Sequence, residues 1–210
     1  MQASGAPTHF STWYDGFFYE KLISPQSDRL QTFLTIFARR GETALDIGCG
    51  VGALTFKLAK KCSKVVGVDA SQKMISYAEK KRLESGATNV EFVCADAANL
   101  GTVHLRKFDV ATLVLFLHEV DEATRRTVVR HLLSMATKII IADFSAPFPK
   151  TASARRLKMQ EFIAGKRHYR NFKNWMNNGA IDGFIDSMKL HVKKSIPWEN
   201  QVGKVMIVAS

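Results

Sequence analysis

Between residues 43 and 144, short runs of consecutive apolar residues alternate with segments of helical periodicity. The apolar runs are 43–47, 64–69, 90–94, 108–115 and 138–144. They are apolar at successive positions rather than at every second one. That pattern marks strands covered on both faces, which means a parallel sheet. Helical segments are predicted at 53–61, from an N-cap at Ser71 to Glu84, and over 121–134 with Asp121 as a cap. Strict alternation of the two kinds of segment predicts an α/β, doubly wound fold.

The flanks read differently. Over 9–39, Phe10, Trp13, Tyr14, Phe17 and Phe18 recur at helical spacing. Ser24-Pro25 interrupts, and a second amphipathic stretch follows with Leu30, Phe33, Leu34 and Phe37. Pro147 and Pro149 punctuate the chain after the fifth strand. Beyond them the sequence predicts a helical segment at 151–178, a helix at 180–188, and strands near 189–196 and 203–209. The expected division is an N-terminal helical cap or lid over 1–40 and a main domain over 41–210, with a cover inserted at 150–188.

Composition narrows the class. The 210 residues are 46% hydrophobic and 23% charged, an ordinary globular mixture. No apolar run approaches the roughly 18–20 residues of a membrane span. No basic region followed by an apolar run stands at the N-terminus, so no signal peptide is expected. Cys49, Cys62 and Cys94 form no CxxC or Cys/His cluster, which suits reduced thiols and a cytoplasmic location. Net charge is +11, and +9 of it lies in 101–210. Residues 150–173 alone carry eight Lys and Arg against Glu161. Such a field favours an anionic partner: an acidic small molecule, a phospholipid surface or nucleic acid.

The strongest motif is Asp46-Ile47-Gly48-Cys49-Gly50-Val51-Gly52, between the first strand and the next helix. Glycines there permit a tight turn and close approach of backbone N–H groups to a ligand. Asp69 ends the second strand, where a carboxylate can accept from a ribose diol. Asp96 follows the third strand and is placed to accept from the exocyclic amine of adenine. Each feature alone has a bland reading, as a turn or a helix cap. Three acidic residues at the ends of three successive strands are harder to dismiss together.

On these motifs the chain resembles the class I S-adenosylmethionine-dependent methyltransferases, in particular the broad small-molecule group that includes quinone-biosynthesis enzymes. The dinucleotide fingerprint G-x-G-x-x-G has different glycine spacing and lacks the preceding acid. The resemblance covers about 43–144 with specific motifs and thins outside it. It implies a Rossmann-like seven-stranded sheet, mostly parallel, with the last strand antiparallel and helices on both faces. It implies that Asp46 and the backbone of Gly48, Cys49, Gly50 and Gly52 hold the methionine part of the cofactor. Asp69 would hold the ribose, Ala70 and Met74 would flank the adenine, and Asp96 with the amide of Ala97 would read its edge. Val114 would line the methionyl end, and Tyr14 would lie over the cofactor carboxylate, unless it only packs in an aromatic stripe. Phe10, Trp13, Phe17 and Phe18 would form a lid that excludes water.

His118-Glu119 lies just past the fourth strand. His118 either takes a proton from the acceptor or packs beneath the cofactor, while Glu119 either contacts the acceptor or caps the next helix. In His168-Tyr169-Arg170-Asn171-Phe172, Arg167 and Arg170 are placed to fork onto a carboxylate or phosphate, or else belong to a solvated basic face. His9, His104, His131 and His191 have no metal-like spacing, and no metal is expected.

The expected activity is methyl transfer from S-adenosylmethionine, leaving S-adenosylhomocysteine, to a small anionic or lipid-like acceptor by in-line displacement. The fourth strand ends Val114-Leu115-Phe116-Leu117, without the N-P-P-Y-like tetrapeptide of adenine and glutamine amino methylation and without Pro-Cys. The alternatives are an RNA or other nucleic-acid methyltransferase using 150–173, or a non-catalytic cofactor-binding protein. Peripheral membrane contact is compatible with the charge, and no transmembrane segment is expected.

Overall fold

A computed structural model describes residues 24–102, 107–198 and 201–209. Its centre is a seven-stranded sheet in the order β3-β2-β1-β4-β5-β7-β6. The strands are β1 (Thr43–Ile47), β2 (Lys64–Asp69), β3 (Val90–Cys94), β4 (Phe108–Val114), β5 (Ala136–Phe144), β6 (Val192–Trp198) and β7 (Gly203–Ala209). The first five pair in parallel, and β7 runs antiparallel to both β5 and β6. The expected class and strand count are therefore what the chain adopts. Strand order reverses between β1 and β4, so a crevice opens above their carboxyl ends.

The helices are α1 (Ser24–Leu34), α2 (Ala53–Ala59), α3 (Gln72–Ser85), α4 (Glu122–Met135), α5 (Ala152–Ile163), α6 (Lys166–Asn177) and α7 (Ala180–Met188). Two expected caps form: Ser71 accepts from Met74 N–H and Asp121 from Thr124 N–H. The single helical segment expected at 151–178 is two helices, broken at Ala164-Gly165, where Gly165 takes φ 118°. A residue without Cβ adopts that conformation at least cost. The strand expected at 189–196 begins later, at Val192, because Lys189 closes α7 in a left-handed turn (φ 54°).

Each face of the sheet buries one apolar layer. Leu34 shares a cluster with Leu54, Leu58, Val110 and Ile140, so the described part of the expected cap belongs to the main core. Tyr14 and the aromatic lid residues Phe10, Trp13, Phe17 and Phe18 lie outside the described residues. On the opposite face Leu113, Val129 and Ile141 pack with Phe172, Trp175, Ile181 and Phe184 of α6 and α7. Exposed Lys193 and Lys194 on β6 guard the sheet edge against further strand pairing.

Arg125 joins the sheet edge to the cover. It is 2% exposed, and it donates to the carbonyls of Leu117 (2.6 Å) and Asn171 (2.9 Å) and to Asn174 Oδ1 (2.7 Å). Its guanidinium lies 5.0 Å from the Trp175 ring. Removing it strands two buried carbonyls, each costing about 1–3 kcal/mol. Arg125→Met should therefore lose about 3 kcal/mol or more of unfolding free energy in urea titration; a loss within the range of a surface substitution would refute this role.

Candidate active site

The glycine turn hangs from two strand ends. Gly48 and Cys49 N–H donate to the Val68 carbonyl (2.8 and 3.1 Å), and Gly50 N–H donates to Asp69 Oδ2 (2.9 Å). Gly48 and Gly52 have φ 69° and 79°, in the left-handed region. A Cβ on Gly48 would stand 2.6 Å from the Phe116 ring, and one on Gly52 2.6 Å from Phe92. Packing alone thus requires glycine at both, whatever the crevice holds.

Asp46 is 2% exposed and faces inward. Its carboxylate accepts from Thr112 Oγ1 (2.6 Å) and Thr55 Oγ1 (2.7 Å), fastening β1 to β4 and to the first turn of α2. Burial lifts its pKa to about 6, against the pull of those two hydroxyls and with help from the charge of Asp69. Asp69, at the end of β2, also accepts from Ser71 N–H (2.8 Å). Each Asp69 oxygen holds one N–H and keeps a second acceptor direction. Burial raises its pKa as well, with the Ser71 and Gly50 N–H groups working the other way. Asp96 is exposed and accepts from Ala98 N–H (2.9 Å). Cys49 is nearly buried; burial and the charges of Asp46 and Asp69 hold its thiol neutral, so it is no nucleophile. Met74 and Ala97 are buried, and Ala70 and Val114 half-buried.

Past β4 the chain turns sharply through Leu115 (φ 52°) into a 3-10 turn, Leu117–Glu119. Asp143, fully buried at the end of β5, holds that turn. It accepts from the N–H groups of Leu117 (2.9 Å), His118 (3.3 Å) and Phe144 (2.7 Å), and it meets His118 Nδ1 at 2.8 Å. His118 Nε2 faces Glu161 Oε2 at 3.5 Å, and that oxygen is hydrogen-bonded to His168 Nε2. Burial disfavours the His118 cation, but Asp143 and Glu161 outweigh it and lift the pKa to about 9. His118 is 2% exposed with both ring nitrogens facing carboxylates. The ring is packed beneath the turn with its nitrogens toward Asp143 and Glu161.

Glu119 does not cap α4, since Asp121 does. Glu119 is an exposed residue past the end of β4, and its carbonyl accepts from Asn171 Nδ2 (2.7 Å). The surrounding walls raise the Glu119 pKa, His118 and His168 lower it, and Glu161 and Asp69 raise it again. Arg167 and Arg170 stand exposed on α6, the helix that brings His168 to His118. The structure thus gathers Asp46, Asp69, Asp96 and Glu119 at one sheet edge and leaves the two arginines on the cover.

Asp143 and Arg125 have no assigned role in the sequence reading, and Glu161 enters it only through its charge. Asp143 carried the same signal as Asp69, an acid ending an apolar strand. Glu161 was the one acid in the basic run. Nothing in the sequence distinguished Arg125.

Residues 44–138 match the family described as a methyltransferase domain. Relatives include a ubiquinone biosynthesis O-methyltransferase of Pseudoalteromonas translucida, 36% identical over 78 residues, which are 37% of this chain and 33% of that one. A magnesium-protoporphyrin O-methyltransferase of Synechocystis is 34% identical over 122 residues, 56% of this chain and 49% of that one. The matches thus span half or less of these relatives' length. Among solved structures, the PH0226 protein of Pyrococcus horikoshii has a TM-score of 0.72 at 19% identity, covering 96% of this chain and 99% of that one. The Synechocystis magnesium protoporphyrin IX methyltransferase with bound S-adenosylhomocysteine has 0.66 at 22% identity, covering 92% and 88%. These likenesses show a common fold.

The buried Asp46 yields a signed prediction. A carboxyl whose folded pKa lies near 6 against about 4 unfolded binds protons more tightly when folded. Its contribution is therefore present at low pH and lost as pH rises from about 4 to 6, a span of about 3 kcal/mol. Asp46→Asn has no such titration. Chemical denaturation of both proteins across that range should show wild type losing ground to the variant as pH rises; parallel curves would refute the assignment.

Proposed function

We propose that the chain, whose residues 44–138 match the family of methyltransferase domains, transfers a methyl group from S-adenosylmethionine to a small anionic or lipid-like acceptor. The observation that carries this reading is the set of carboxylates at the carboxyl edge of the sheet, Asp69, Asp96 and Glu119, above the turn that the buried Asp46 fastens. A crevice edged by acids suits a cationic sulfonium and disfavours a pyrophosphate, which separates this cofactor from a dinucleotide. The donor set fits in detail. Asp69 keeps acceptor directions for a ribose diol, and Asp96 stands exposed at the neighbouring strand end for the adenine edge, beside the buried Ala97. The turn from Gly48 to Gly52 presents backbone to the methionine part, beside the half-buried Val114.

When bound, the cofactor supplies an activated methyl group on a neutral leaving group. The chain's own work is then to position and to exclude water, which can supply about 7–11 kcal/mol in favourable cases. Asp46 acts through the turn it fastens. Glu119 at the crevice mouth contacts the acceptor. Phe144, Phe148 and Phe172 stack edge to face under the cover and keep that side dry. The basic faces of α5 and α6 draw an acidic acceptor, with Arg167 and Arg170 as its anion contacts. Exposed Met159, Phe162 and Ile163 on α5 favour one with an apolar part or at a lipid surface.

No helix among the described residues is long and apolar enough to cross a membrane. Three free cysteines suit a reducing compartment, and we place the chain in the cytoplasm on that ground. The same exposed basic surface favours RNA as the rival acceptor; a binding constant that falls steeply with salt would select it.

Two measurements test the proposal. Asp69→Ala should weaken S-adenosylmethionine binding at least about tenfold in calorimetry, two hydrogen bonds to a charged group being lost, with the circular dichroism spectrum retained. Unchanged affinity would remove Asp69 from the ribose. Replacing Arg167 and Arg170 together by Gln should raise KM for an anionic acceptor and leave that for a neutral one alone; equal effects on both would make these residues a solvated face.

A further inference from the structure

A second constellation lies between the sheet edge and the cover. Glu161 comes from the last turn of α5 and His168 from the first turn of α6. Seven residues separate them, and the break at Ala164-Gly165 folds one back onto the other. His118 meets them from the 3-10 turn after β4. The three candidate ligand atoms, one from each side chain, lie within 4.8 Å of one another. The side chains are only 3%, 12% and 15% exposed.

The orientation of His118 is the decisive detail. Its Nδ1 is held by the buried Asp143 at 2.8 Å, and Asp143 is in turn fixed by three backbone N–H groups. The Phe144 ring, 4.7 Å away, fills one side of the imidazole. A carboxylate on one imidazole nitrogen fixes the ring's orientation, and a metal that displaces the proton of the other nitrogen meets a lone pair projecting forward. That is the outer-shell arrangement of metal-bound histidines. Here the projecting Nε2 points to Glu161 and His168, which bring one oxygen and one nitrogen to the same spot.

We propose that His118, Glu161 and His168 bind one divalent transition-metal ion, with Asp143 orienting His118. Two imidazoles and one carboxylate suit zinc, cobalt or ferrous iron and not magnesium or calcium, which prefer all-oxygen sets. Donors around such an ion lie about 2.0–2.2 Å from it and so about 3.3 Å from each other. The three donors, already within 4.8 Å of one another, close to that spacing around the ion. Three protein ligands leave a coordination position open. The chemical class that fills it is a hydroxyl, carboxylate or thiol. If the methyl-transfer reading holds, that group belongs to the acceptor; the metal site itself does not depend on that reading. The ion also pins α5 and α6 to the sheet edge, so binding stabilises the folded cover.

The test uses the full chain, free of any affinity tag and stripped by a chelator. Elemental analysis after adding zinc in excess and desalting should return one ion per chain. Cobalt should give the visible absorption of a nitrogen- and oxygen-ligated site, at one equivalent. The melting temperature should rise with zinc concentration, as it must when an ion binds the folded state alone. Glu161→Gln and His168→Ala should each weaken binding by about a hundredfold or more, Asp143→Asn by about 10–100-fold, and His191→Ala not at all. His168→Gln, with circular dichroism as a check, serves should the alanine variant not fold. No retained metal, no visible band and no shift in melting temperature in wild type would overturn the proposal. So would binding that survives in folded Glu161 and His168 variants. None of these readouts involves S-adenosylmethionine or turnover, so failure of the metal site and failure of the methyltransferase reading are separable.

Discussion

Four hydrogen bonds to one buried carboxylate organise the upper edge of this sheet. Asp143 closes β5 and takes the N–H groups of Leu117, His118 and Phe144 together with the His118 ring. A carboxylate left bare at that depth would be prohibitively costly, and a turn left without partners would strand its own N–H groups. Each requirement answers the other. The result is a turn after β4 whose shape is set from below by Asp143 and from the side by Arg125 and Asn171. Asp46 does the same for the first strand, joining β1, β4 and α2 through two hydroxyls.

Charge is segregated about this edge. Acids converge at the strand ends, Asp69, Asp96 and Glu119 at the crevice edge and Asp46 and Asp143 buried beneath it, while the exposed lysines and arginines of 150–173 stand on and just before α5 and α6. The positive field therefore meets solvent and any approaching anion, and the negative one faces inward. A chain of net charge +11 can in this way hold an acidic pocket suited to a cation. Glu161 is the exception within the basic run, and it is the one charged member of that run drawn inward, toward the two histidines.

Much of the architecture was legible in the sequence. The strands over 64–69, 90–94 and 203–209 and the helix over 180–188 stand where the apolar pattern put them, because consecutive apolar residues have no other way to be covered. Ser71 and Asp121 cap their helices as their positions implied. The division of 151–178 into two helices was less visible, since a single glycine in a helical stretch also occurs without a break. The proposed cofactor residues were legible because they follow strand ends in regular order. Glu119 as a helix cap was a misreading, two residues from the cap that formed.

The sequence by itself determined the parallel sheet, the glycine turn and the acids at the strand ends, because each rests on neighbours in the chain and on a periodicity that burial enforces. Tertiary structure alone decided that His118 faces Asp143 and Glu161 rather than the crevice. It also decided that His168 comes to the same place and that Arg125 braces the turn. Those contacts join residues 7 to 49 positions apart, and no local rule of spacing reaches so far; they exist because the cover folds back on the sheet edge.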